Sequence, residues 1–289
     1  MVTLDGDVLA RYPRASRYNS PYPAHDAGCA VDLYPAPEPG RGRAVCAPSP
    51  VAGEVVEVRT VRCPSKPYAV DEDHLVVVDT GTHLARVLHV DPGVDAGDAV
   101  AVGDSLGAMV RSGFFAPWVA NHLHVGFRER DQNPVRASGS LPLDLGASIE
   151  AVPWDGTGTV VETGDTYALL DSPEHPAPGE TVAGVATDDG RVLDGGLPHY
   201  EGGGATPAAA RDRRAEADGG AGRPVPFLGT TVGDVVDGDT IAWRDVTVTA
   251  DGEPIHGLSL WLGVDRLGVK LVAPGHDFAV GDRVRVGVA

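Results

Sequence analysis

Val51-Ala-Gly-Glu-Val-Val-Glu-Val-Arg-Thr60, followed by Leu75-Val-Val-Val-Asp79 and His83-Leu-Ala-Arg-Val-Leu-His89, decides the fold class. Each run is short, rich in Val or Leu, and bounded by Gly, Pro or Asp, a pattern that suits strands. Pro92-Gly-Val-Asp-Ala-Gly-Asp98 and Val102-Gly-Asp-Ser-Leu-Gly107 then carry Gly-Asp pairs that fit tight reversals. No amphipathic helix interrupts the series, so this half reads as a mainly antiparallel β-sheet with hairpins. Composition agrees, because 38 Gly and 24 Pro against 6% aromatics in 289 residues favour short strands joined by many turns.

The texture changes near residue 150. Gly156-Thr-Gly-Thr-Val-Val-Glu-Thr163 and Thr166-Tyr-Ala-Leu-Leu-Asp171 read as a further strand pair, followed by Gly-rich turns through Gly195-Gly-Leu-Pro-His-Tyr-Glu-Gly-Gly-Gly204. The stretch 205–223 has almost no large apolar residue and reads as a linker, with at most a short polar helix over 208–217. Val232-Gly-Asp-Val-Val, Thr240-Ile-Ala-Trp, Val246-Thr-Val-Thr and Val284-Arg-Val-Gly-Val288 mark more strands. The expected organisation is a β domain over 1–150, a β extension with Gly-rich loops over 151–204, a linker over 205–224, and a small C-terminal β module over 225–289.

Charge excludes whole classes of partner. With 23 Lys+Arg against 41 Asp+Glu the net charge is −18, and such a field repels phosphate, which argues against nucleic acid and anionic membranes. Only Lys66 and Lys270 are lysine, and the other cations are arginine. Few lysines, many Asp and small Ala, Gly and Val side chains resemble the composition of proteins from salt-loving microbes such as halophilic archaea, where a short Debye length screens self-repulsion. Met1-Val-Thr-Leu-Asp-Gly-Asp has neither a basic start nor an apolar run, so no Sec signal is expected. No apolar stretch approaches the roughly 20 residues that span a bilayer. Cys29, Cys46 and Cys63 show no CxxC spacing and do not suggest a disulfide framework. A cytoplasmic protein without membrane insertion is the expectation.

Among ten histidines, the informative set is His122-Leu-His124 with His25, Asp32 and His89. In a strand, residues i and i+2 project from one face, so His122 and His124 present two imidazoles side by side while Leu123 packs behind. That arrangement suits a metal, or a ligand beside a base; a solvated or core pair is the bland alternative.

Five ordered stretches resemble the M23 (LytM/lysostaphin-type) zinc metallopeptidase family. They are His25-Asp-Ala-Gly-Cys-Ala-Val-Asp32, Val45-Cys-Ala-Pro-Ser-Pro-Val-Ala-Gly-Glu-Val55, Val87-Leu-His89, Gly97-Asp-Ala-Val-Ala-Val-Gly-Asp-Ser-Leu-Gly107 and Asn121-His-Leu-His-Val-Gly-Phe-Arg128. The order agrees over roughly residues 20 to 145, and the spacing agrees from Asp32 onward. The resemblance implies an antiparallel β domain of the duplicated hybrid motif type, peptide-bond hydrolysis, and a peptide substrate, glycine-rich or derived from the cell envelope. It also implies that Asp32 and His124 bind Zn2+, with His25 the nearest candidate for the third ligand, and that His89 and His122 assist catalysis beside the water. Two imidazoles and a carboxylate leave one tetrahedral position for water, as an open catalytic zinc requires. No HExxH helix supplies a glutamate base, which accords with histidines taking that role.

One departure bears on the first ligand. His25 and Asp32 are seven apart where the family usually has four, and four back from Asp32 is Gly28. Either three extra residues bulge so that His25 still reaches the metal, or that ligand is lost and the domain is a non-catalytic binding or scaffold protein. Chemistry on a non-peptide carbonyl or sugar is a third reading, since one zinc site polarises many substrates. Weaker candidates are His83 in phase with His89, the loop residues His199 and Tyr200, Cys29 and Cys46 near the proposed ligands, and Trp118 as a substrate wall or loop packing. His175, His256 and His276 read as surface residues.

The acid excess predicts that the melting temperature rises with NaCl from low to molar concentration; a melting curve insensitive to salt over that range contradicts the salt-adapted reading.

Overall fold

The computed structural model describes residues 1–38, 44–207 and 220–289. The expected polar helix over 208–217 lies outside the described residues. Nearly all regular structure is β-strand; among the described residues the only helices are the single turns Gly6–Leu9 and Pro23–Asp26. No described helix is long and apolar enough to cross a membrane.

The chain forms two compact units, one of Met1–Ala15 with Cys29–Gly146 and the other of Ser16–Gly28 with Ala147–Ala289. In the first, the strands Ala30–Tyr34, Leu123–Arg128, Leu84–Leu88, Glu72–Asp79, Gly53–Arg62 and Ala99–Val100 are neighbours in that order, every pairing antiparallel. The apolar run Leu75 to Val78 is buried on both faces of its strand, which is why it reads as continuous hydrophobic sequence and not as alternation. Leu75 and Val77 pack with Leu84 on one face. A smaller antiparallel sheet joins Cys46–Pro48, Ser105–Met109 and Val90–Pro92.

Gly107 shows what the glycine-turn motif is for. It lies within Ser105–Met109 with φ +139°, and a Cβ there would sit 2.1 Å from the Asp91 carbonyl oxygen on the partner strand. No side chain fits between these two backbones.

In the second unit, strands from both sides of 208–219 share one antiparallel sheet. Gly202–Pro207 pairs with Arg191–Leu197 and Thr240–Trp243, while Arg283–Val288 pairs with Thr157–Gly164 and Val248–Ala250. Its core gathers Val160, Leu170, Leu193, Phe227, Ile241, Leu258 and Leu271, with Trp154 stacked on Phe227 at 6.1 Å. The segment Ser16–Gly28 is fastened to this unit by Asp194. Its carboxylate accepts from the Ser16 hydroxyl at 2.5 Å and the Arg17 amide at 2.6 Å, while the Asn19 amide donates to Ser259 Oγ at 2.5 Å.

Replacing Gly107 by alanine should lower unfolding stability by about 1–3 kcal/mol, read from urea titrations, because backbone on two strands must move. An unchanged midpoint contradicts the close approach.

Candidate metal centre

Three neighbouring strands position the site. Asp32 lies in Ala30–Tyr34 directly opposite His124 in Leu123–Arg128, and His124 faces Leu88 on the other side. His122, just before that strand, shares the face of His124. Asp32 Oδ1 lies 3.1 Å from His124 Nδ1, and Asp32 Oδ2 lies 3.3 Å from His122 Nε2. Asp32 and His122 are buried, whereas the His124 side chain keeps 15% of its surface exposed.

His122 has a defined tautomer. Its Nδ1 is 2.9 Å from the Ala120 carbonyl oxygen, which can only accept, so Nδ1 carries the proton and Nε2 presents a lone pair to Asp32. Burial, reinforced by the neighbouring His89 and His124, pushes His122 down to about 3 despite the pull of Asp32. At neutral pH the 3.3 Å contact is therefore not an ion pair.

His89 is built differently. The strand Leu84–Leu88 ends one residue before it, and His89 takes φ +74°, unusual for a residue with a side chain. Its Nδ1 donates to Asp73 Oδ2 at 2.6 Å and its amide donates to Asp73 Oδ1 at 3.0 Å. Asp73 also accepts from the Ser112 hydroxyl at 2.5 Å and the His74 amide at 2.7 Å. Burial alone would raise the Asp73 carboxyl, but the charge and hydrogen bond of His89, with those of Ser112 and His74, outweigh it and hold the group below the ordinary carboxylate range. The His89 proton is thus fixed on Nδ1, leaving Nε2 as the acceptor. The His89 ring stands 5.2 Å from that of His122 and 6.1 Å from that of His124, and Phe115 packs 4.6 Å from His89 and 4.3 Å from His122. Tyr34 closes the other side of His122 at 5.0 Å.

The seven-residue separation of His25 and Asp32 has a local cause. The extra residues form the helical turn Pro23–Asp26, in which the Ala27 amide donates to Pro23 and the Gly28 amide to His25. Gly28 closes the turn at φ +62°. His25 is buried, and its Nδ1 donates to the Arg17 carbonyl at 2.6 Å, the way a backbone carbonyl orients a metal-ligating imidazole. His25 belongs to the second compact unit, and Asp32 and His124 belong to the first. Two imidazoles and one carboxylate are a donor set that fits zinc.

Other sequence candidates fall elsewhere. His83 belongs to the turn in which the Thr80 amide donates to its carbonyl, and the left-handed His89 ends the alternation that linked the two. No disulfide joins Cys29, Cys46 and Cys63. Trp118 is half-buried in a loop where Arg111 donates to the carbonyls of Ala116, Pro117 and Val119. Phe115 and Phe114 of this loop both set their rings against His89, at 4.6 and 6.2 Å. His175 and His276, far from being loose surface residues, hold the Gly263 carbonyl and the Gly164 and Tyr167 carbonyls, respectively. Asp73, Ser112, Phe115 and Tyr34 were not singled out in the sequence; Asp73 and Ser112 stand 39 residues apart, with no local pattern joining them.

Residues 3–145 match the family model described as Domain of unknown function (DUF8155) N-terminal domain, and residues 150–289 match the DUF8155 C-terminal domain. The chain belongs to the DUF8155 family. No curated protein matches this DUF8155 chain. Among solved structures it is similar to the catalytic domain of the antimicrobial peptidase lysostaphin from Staphylococcus simulans, at 19% identity over 44% of this chain and 88% of that chain, with a TM-score of 0.28. The antimicrobial peptidase lysostaphin from the same organism, over 97% of this chain and 96% of that one, gives 14% identity and a TM-score of 0.28.

Changing Asp73 to asparagine should move the His89 proton from Nδ1 to Nε2, read from imidazole 15N shifts, because an amide NH2 then faces Nδ1. The same change should flatten the acid limb of stability. A carboxyl whose folded pKa is depressed contributes above its unfolded value, near about 4, and loses that contribution as pH falls through the folded one. Urea titrations at pH 7 and pH 3 should therefore show the parent losing more stability than Asp73→Asn; equal losses contradict the assignment.

Proposed function

We propose that this protein is a zinc-dependent hydrolase of the M23 peptidase type, acting on a peptide carbonyl. The observation that carries the reading is the Asp32 carboxylate buried between His124 and His122, beside a His89 whose proton is fixed by Asp73. The ordered motif resemblance over residues 25 to 128 supports it. His25, Asp32 and His124 would hold the metal, the first oriented by the Arg17 carbonyl. A zinc ion bound there supplies a Lewis acid that acidifies a water and polarises a carbonyl.

The chain's own residues do the rest. His89 donates through Nδ1 to Asp73, so a proton taken up at its Nε2 gives an imidazolium that the Asp73 carboxylate stabilises. His122 presents Nε2 to the same space, with its own proton parked on Ala120. Phe115 and Tyr34 flank the His122 ring and exclude water from it, which strengthens charge interactions there. A glycine-rich or cell-envelope peptide is the substrate class that follows from the family resemblance, and the acidic surface makes an anionic polymer a poor partner.

Metal stoichiometry and turnover separate the readings. The parent should hold one zinc per chain and cleave a peptide from a glycine-rich pool; His124→Ala should lose the zinc. His89→Ala should keep the zinc while hydrolysis falls by about 10²–10⁴-fold, the usual worth of a general base. One tightly bound zinc in His124→Ala overturns the ligand assignment. A parent that binds zinc and cleaves no peptide favours the scaffold reading.

A further inference from the structure

The second compact unit holds a cavity of about 760 Å³, a size typical of small-molecule sites. Its walls come from the Pro23–Asp26 turn, the loop after Arg191–Leu197, and the end of Thr240–Trp243. Three half-buried rings, His199, Tyr200 and Trp243, line it, and the exposed carboxylates of Asp26, Glu201 and Asp245 stand around them.

The rings are seated on glycine. A Cβ on Gly203 would lie 2.3 Å from Trp243 Cζ2, and one on Gly195 would lie 3.1 Å from the same atom. A Cβ on Gly196 would meet Tyr200 Cδ2 at 2.5 Å and His199 Nε2 at 2.6 Å, and one on Gly257 would meet His199 Nδ1 at 2.7 Å. The Gly-rich stretch 195–204 thus lets aromatic faces lie flat on the sheet, where any larger residue would lift them.

The charges select the ligand. None of Asp26, Glu201 and Asp245 forms an ion pair with a described residue. Arg244, the lining cation, is held bidentately by Asp234 at 2.7 and 2.7 Å, so its charge is answered. Burial, with His256 beside it, pushes His199 down to about 3, so that ring is neutral and adds no repulsion for a cation.

We propose that this cavity binds an organic ammonium group, its alkyl face against Trp243 and Tyr200 and its charge answered by Asp26, Glu201 and Asp245. Aromatic faces attract cations through their quadrupole, and nearby carboxylates add a Coulomb term that a neutral ligand of the same shape does not feel. A neutral sugar would use the same rings but would leave three carboxylates repelling one another. The cavity's lining shares no residue with His25, Asp32 and His124, although Asp26 and His25 belong to one turn, and the double variant tested below leaves that turn unaltered.

The test titrates the full chain with choline, with lysine amide, and with 3,3-dimethylbutan-1-ol as the uncharged isostere of choline. The readout is the Trp243 indole resonance, assigned from Trp243→Phe. Either amine should shift it saturably, with the alcohol at least about tenfold weaker. The double variant Glu201→Gln, Asp245→Asn alters exposed groups that pair with no charge among the described residues and so should stay folded; it should weaken amine binding by at least about fivefold. Equal binding by the alcohol, no saturable shift with either amine, a shift with glucose alone, or unchanged affinity in the double variant overturns the proposal. The zinc content of these samples is independent of every one of these outcomes.

Discussion

Asp32 and His124 face each other across one rung of an antiparallel ladder, and the chemistry of the first unit depends on that register. Side chains alternate along a strand, so a slip of one residue would turn both groups to the opposite face and bring Leu33 or Leu123 in their place. Register is held by the side chains on that opposite face. Val31, Leu33, Leu123, Val125 and Val87 have no solvent exposure, and no shifted pairing keeps all of them buried. His122 gains its place from the same periodicity, two residues before His124. The apolar side of these strands therefore sets the polar side, and mutations that loosen packing at Val31 or Val125 act on the site without touching it.

Asp32 and Asp73, both buried in the first unit, are handled in contrasting ways. An ionised carboxylate removed from water costs several kcal/mol unless its lone pairs are met. Asp73 is met by four protein donors, so it needs nothing from outside and acts as a fixed orienting group. Asp32 instead lies against two imidazoles, 3.1 Å from His124 Nδ1 and 3.3 Å from His122 Nε2, the latter presenting a lone pair. Under the proposed function, that difference in surroundings marks Asp32 as the ligand and Asp73 as the positioning residue, and residue type or depth of burial alone would not have done so.

Much of this was legible in sequence where the signal was local. The Val-rich runs became strands within a few residues of their expected limits, as with Leu75 to Asp79 inside Glu72–Asp79 and Thr240 to Trp243 as found. The side-by-side placement of His122 and His124 followed from period two. What stayed hidden was non-local or needed backbone geometry. Asp73 looked like one acid among 41, and its meaning came from Ser112 and His89, which only the fold brings to it. The turn at Pro23–Asp26 was too short for any periodic signal, yet it accounts for the unusual His25 to Asp32 spacing. Gly195 to Gly204 read as loop because glycine marks turns; here several of those glycines make room for rings against the sheet, a role set by residues such as Trp243 some 40 positions away along the chain.

The choice between catalyst and scaffold turns on His89. A binding domain that merely kept the fold would have no use for a residue with a side chain at φ +74° or for a buried aspartate that accepts from both the ring and the amide of that residue while Ser112 and His74 hold it in place. The left-handed backbone costs stability, and neither feature adds apolar burial. Leu88, one residue earlier, ends the strand with ordinary geometry, so the strain is confined to the residue whose ring it aims. A device that fixes a ring proton, sets that ring 5.2 Å from His122 and 6.1 Å from His124 and accepts strain to do so matches the needs of proton transfer. Those needs, more than resemblance of sequence order, support a hydrolytic role for the first unit.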